Sequence, residues 1–102
     1  MATAFVQEFA IVDGDTSTTN YDAVAGELGR TAPEGLIVHT AGFDHDRGVF
    51  RIMDVWESRE AGQRFMDEKL MPIIERMAAE RSEEDFRPPE VESWYELHDV
   101  LR

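Results

Sequence analysis

The residues best suited to acid–base chemistry in this chain are His39 and Asp54. His39 lies in the apolar run GLIVHTAGF, residues 35–43, and Asp54 lies in a second run, VFRIMDVWE, residues 49–57. An imidazole titrates near neutral pH. To act as a general base it needs one ring nitrogen free and the other oriented by a hydrogen-bond acceptor. Asp54 supplies that acceptor if the two runs are neighbouring strands in a register that sets it beside His39, a register the sequence leaves open. The plainer reading of His39 is a histidine hydrogen-bonded within a half-buried sheet. Asp54 sits among Met53, Val55 and Trp56, so its carboxylate must be paired, with His39 or Arg51, or have a raised pKa. Around this pair, Trp56, Phe65, Trp94 and Tyr21 are large enough to wall an aromatic pocket and equally suited to core or interface packing. Asp44-His45-Asp46 reads as a solvated hairpin tip, because consecutive turn residues rarely converge on one ion. His98 reads as an ordinary surface or edge residue, and no metal site is expected.

The elements that position these residues follow from patterning. Residues 4–12, AFVQEFAIV, are rich in β-branched and aromatic types and read as a strand, stopped by Asp13-Gly14-Asp15. Thr18 or Thr19 can cap a helix over about 19–28, with Asp22 in a capping-box-like place. Gly29 suits its left-handed terminus. Residues 36–43 and 49–57 read as strands joined through Asp44–Gly48. Ser58 can cap a second helix, in which Pro72 predicts a kink or a break into two short helices. Glu80–Glu90 is an acidic connection, and residues 91–100 read as a last strand.

The resulting order is β-α-β-β-α-β, the ferredoxin-like α+β arrangement: a four-stranded antiparallel sheet with both helices on one face. The third strand is apolar in both registers, with Val49, Met53 and Val55 on one face and Phe50, Ile52 and Trp56 on the other. Both faces must then be covered. Two helices cover one, so a homodimer through the sheet faces is expected. A single domain spans residues 1–102.

Composition narrows the partners. Ten Lys and Arg against 22 Asp and Glu give a formal charge of −12, which disfavours nucleic acid and anionic membrane surfaces. Absence of cysteine excludes disulfides and thiolate chemistry. The N-terminal residues MATAFVQEFAIVDGD lack the basic and apolar regions of a signal peptide, and no apolar run is long enough to span a bilayer. A cytoplasmic location is expected.

Tyr21-Asp22-Ala23-Val24, Gly35-Leu36-Ile37-Val38-His39, Asp54-Val55-Trp56-Glu57-Ser58, Phe65 and Leu70-Met71-Pro72 together resemble small members of the dimeric α/β-barrel superfamily, the proteins related to antibiotic-biosynthesis monooxygenases. The resemblance covers about residues 4–100. It implies a ferredoxin-like protomer paired sheet to sheet, with a pocket between sheet and helices. The haem-degrading relatives use a histidine on the second helix, and residues 60–81 contain none, so no cofactor is expected. The phenol monooxygenases use an Asn/Trp/Tyr/Arg set, and the one asparagine here, Asn20, matches that set poorly. The expectation is a cofactor-independent enzyme acting on a small aromatic or polyketide-like molecule, with or without O₂. In it His39 is the base or polar anchor, Asp54 its orienter, and Trp56, Phe65, Tyr21 and Trp94 line the substrate. The alternative is a non-catalytic small-ligand-binding or assembly dimer.

Overall fold

A computed structural model describes residues 1–81 and 86–101. Strands β1 (Thr3–Ala10), β2 (Leu36–Asp44), β3 (Val49–Trp56) and β4 (Val91–Glu96) form one sheet in the order β2-β3-β1-β4. Every neighbouring pair is antiparallel. Helix α1 (Thr19–Leu28) connects β1 to β2, and α2 (Arg59–Phe65), a π-helical segment (Met66–Leu70) and α3 (Met71–Glu80) follow β3. This is the ferredoxin-like α+β arrangement that the patterning predicts.

Strand alternation divides the sheet into two faces. Phe5, Gln7 and Phe9 share one face with Phe50, Ile52, Asp54 and Trp56. The helices cover that face, because Tyr21 of α1 meets Phe50 and Gly62 of α2 meets Trp56. The fully buried large side chains, Phe5 and Trp56, lie there too. The opposite face carries Val6, Met53, Val55 and Val38, with Glu8 gripped by Arg47 and Arg51.

Element ends differ from the patterning in physically readable ways. β1 stops at Ala10, two residues before the predicted end, although the Ile11 amide still donates to the Gly48 carbonyl at 2.9 Å. Asp13 and Gly14 then adopt positive φ, which bends the chain out of the sheet. Thr18 precedes α1 but makes no side-chain cap to the backbone; its hydroxyl donates to the Asp22 carboxylate at 2.8 Å. Gly29 has φ 81° with an extended ψ of 179°, a conformation open essentially to glycine alone, in place of the left-handed cap. β4 ends at Glu96, and the Leu97 amide, donating to Ala2 O at 2.9 Å, prolongs its pairing.

The second helix breaks earlier than its proline. The irregularity is the π-helical segment at Met66–Leu70, where the Met71 amide reaches back to the Met66 carbonyl. Pro72 sits in the first turn of α3. A proline ring clashes with the carbonyl four residues back, here Glu68, so the wider π turn absorbs the clash upstream. The predicted connection Glu80–Glu90 includes residues 82–85, which lie outside the described residues.

Candidate functional site

A β-bulge decides where His39 points. Between Leu36 and Val38 the β2–β3 register shifts, so Leu36 pairs with Trp56 and His39 pairs with Asp54. Leu36 and His39 are three apart in sequence, an odd spacing that a regular strand would send to opposite faces. The extra residue at the bulge puts both on the helix-covered face. A single cross-strand row then runs His39, Asp54, Phe5, Trp94 across all four strands.

Within that row, His39 Nδ1 lies 2.5 Å from Asp54 Oδ1. An ionised carboxylate can only accept, so Nδ1 carries the proton and donates it to Asp54. The Nε2 lone pair faces away and accepts the Tyr21 hydroxyl at 2.6 Å. The three side chains form a directed relay, Tyr21 to His39 to Asp54, the geometry of a general base held in one tautomer. The polarity of the relay matches its burial: the Asp54 side chain is 13% exposed and that of His39 39%.

Electrostatics follow from that gradient. Burial pushes the Asp54 carboxyl above its ordinary value, and the hydrogen bond and charge of His39 oppose the rise. Burial also raises the Tyr21 phenol, with Arg30 acting the other way and Asp54 and Asp22 adding to the rise. Arg51, the other candidate partner of Asp54, is on the opposite face and binds Glu8 at 2.6 Å and Asp44 at 3.2 Å.

The aromatic residues divide into two groups. Tyr21 packs edge-on against Phe50, with ring centroids 5.5 Å apart, and Phe50 meets Phe43 at 4.9 Å. Trp56 is 1% exposed and packs against Phe65 at 5.4 Å, while Trp94 stacks on Phe5 at 4.0 Å. These four rings fill the space between the sheet and α2. The Trp56 indole N–H is buried and has no hydrogen-bond acceptor among the described residues. Depressions of about 260 Å³, on the outer face around Thr40, Asp44 and Arg51, and about 360 Å³, beside Arg59 and Trp94, do not include His39. His45 stacks on Phe43 at the hairpin tip, with centroids 5.8 Å apart, and His98 is exposed. Sequence patterning passes over Phe5, which is 1% exposed and lies beside Asp54 in the cross-strand row. Its only signal is its place in an apolar strand.

No family model matches the chain, and no curated protein matches it either. Solved structures do. A protein from Mycobacterium tuberculosis superposes with a TM-score of 0.70 at 15% identity, with all of both chains covered. A candidate antibiotic biosynthesis monooxygenase from Chloroflexus aurantiacus gives 0.66 at 13% identity, covering 100% of this chain and 98% of the other. SnoaB, a cofactor-independent oxygenase from Streptomyces nogalater, gives 0.61 at 16%, covering 98% of this chain and 96% of its own. At such identities the likeness is one of fold, and it extends over the whole length of each chain. The chain thus shares its ferredoxin-like α+β fold with a candidate antibiotic biosynthesis monooxygenase and with a cofactor-independent oxygenase.

Proposed function

We propose that this protein is a cofactor-independent enzyme that takes a proton from a small aromatic or polyketide-like molecule. The observation that carries this reading is the oriented pair: Asp54 holds His39 Nδ1–H, so the Nε2 lone pair is directed away from Asp54, where the Tyr21 hydroxyl meets it. His39 would accept the substrate proton at Nε2, and the resulting imidazolium would be held by the Asp54 carboxylate. Phe5, Trp56, Phe65 and Trp94 would back the site as a rigid apolar wall, and Phe50 and Phe43 would flank the substrate ring. Positioned proton transfer of this kind contributes about 10²–10⁴-fold in rate. The fold shared with a cofactor-independent oxygenase is compatible with it. We further propose a homodimer through the open sheet face, in the cytoplasm. Among the described residues no helix is long and apolar enough to cross a membrane.

A second reading, a non-catalytic ligand-binding or assembly dimer, is favoured by one observation. Both ring nitrogens of His39 already have protein partners. The His39→Ala variant separates the two. Measured on a panel of hydroxylated arenes, an enzyme should lose turnover by at least about a hundred-fold, with far-UV circular dichroism unchanged. Turnover that survives the substitution removes His39 from the reaction, and an unaltered protein that turns over none of the panel assigns the chain to the second reading.

A further inference from the structure

The relay has a feature that proton abstraction alone does not explain: its base is occupied. Tyr21 Oη sits 2.6 Å from His39 Nε2, and the two rings are parallel to within 3° with centroids 6.2 Å apart. At that separation the rings meet edge to edge in nearly one plane and do not stack face to face. The Nε2 lone pair lies in the imidazole plane, so the phenol is presented along the line on which a proton would travel. Neither depression described above reaches this point. A molecule that is to give its proton to His39 must therefore take the place that Tyr21 now holds.

We propose that Tyr21 is an internal stand-in for the substrate, holding the place of a planar hydroxyarene against His39 Nε2 and swinging aside when one binds. The inference rests on the reading of His39 as a base and adds the substrate's form: one ring, one acidic hydroxyl in its plane. The neighbours suit that exchange. Phe50 meets the Tyr21 ring edge-on, and Phe43 backs Phe50, so an incoming ring would find the same apolar edges. The element carrying Tyr21 lies at the surface. No residue of α1 is buried, and Thr18 leaves its first-turn amides without a side-chain cap. The ion pair from Arg76 of α3 to Glu27, at 3.1 Å, joins two half-exposed side chains, and such pairs contribute little. Displacing Tyr21 breaks its hydrogen bond to His39, and the incoming ring takes over its edge contact with Phe50.

The test is binding of 4-nitrophenol, whose phenolate is distinguished from the neutral phenol by its visible absorbance. Tyr21→Phe keeps the ring and its contact with Phe50 but removes the competing hydroxyl. It should bind the probe about five-fold more tightly than the unaltered protein, equivalent to about 1 kcal/mol, the net worth of one hydrogen bond. The phenolate band should appear on binding and disappear when His39→Ala is added to Tyr21→Phe. Equal or weaker binding by Tyr21→Phe, with the band still dependent on His39, overturns the stand-in and leaves the base in place. A band indifferent to His39 overturns both, and so does an absence of probe binding in every variant. Circular dichroism of each variant ensures that a loss is not one of folding.

Discussion

Burial holds the Asp54 carboxyl above its ordinary value, so its ionisation works against the folded state. The sign follows from proton counting. Below the unfolded value of about 4 the group is protonated in both states and contributes nothing to the pH dependence. As pH rises through the window between the unfolded value and the raised folded one, the unfolded chain releases its proton first, and stability falls. Above the window a constant cost remains. Asp54→Asn removes that ionisation and keeps an oxygen to accept from His39 Nδ1–H. In urea titrations its stability relative to the unaltered protein should therefore improve between pH 3 and pH 7. A pH-independent difference would refute the assignment of the cost to Asp54. The same variant should lose turnover by at least about a hundred-fold, since a neutral amide no longer stabilises the imidazolium. Residue type alone nominates His39 and Asp54, because a histidine and a carboxylate in apolar strands need partners. What it leaves open is that they are partners of each other, since the register turns on the bulge at Leu36/Val38. Nothing in LIVHT announces that extra residue.

The close approach of α2 to the sheet depends on a missing side chain. A Cβ at Gly62 would lie 2.9 Å from the Trp94 ring and 3.0 Å from Trp56. Both rings are pinned, Trp94 by Phe5 and Trp56 by Phe65, so neither can retreat without repacking its neighbour. Gly62→Ala would gain up to about 1 kcal/mol in helix propensity. Overpacking costs typically about 1–3 kcal/mol. The net expectation is a loss of about 1 kcal/mol in denaturant midpoint analysis, and a stabilised variant would show that α2 can lift off the sheet. Ser58 tests the other end of the contact. Its hydroxyl oxygen accepts from the Ala61 amide at 3.1 Å, as the sequence expects of a cap. Ser58→Ala should cost about 1 kcal/mol. Helix starts and strand order are legible because caps, turns and apolar alternation are local signals. The π-helical segment is not, because Pro72 states that the regular ladder must fail without stating in which turn. The failure falls at Met66–Leu70, one turn upstream.

At the scale of the whole molecule, the protomer is a sheet with helices on only one side. Its shortest extent is 20 Å, the thickness of two layers of secondary structure. The outer face leaves Val38, Val91 and Tyr95 exposed, at 42%, 41% and 48%. The charges on that face are already neutralised. Arg47 and Arg51 grip Glu8, and Arg51 also reaches Asp44. Such a cluster can be covered without leaving an unpaired charge. The proposed homodimer would bury this surface, which mixes apolar side chains with paired ions. Sedimentation equilibrium should then give twice the mass of one chain. Val38→Asp puts an unpaired carboxylate on the face and should shift the protein to the monomer, with far-UV circular dichroism retained. A variant that stays dimeric would place the interface elsewhere. Each copy carries a formal charge of −12, so two copies repel at long range. That repulsion is screened over about 8 Å at physiological salt. Raising ionic strength from low to physiological should strengthen the dimer, whereas an interface held chiefly by ion pairs between copies would weaken.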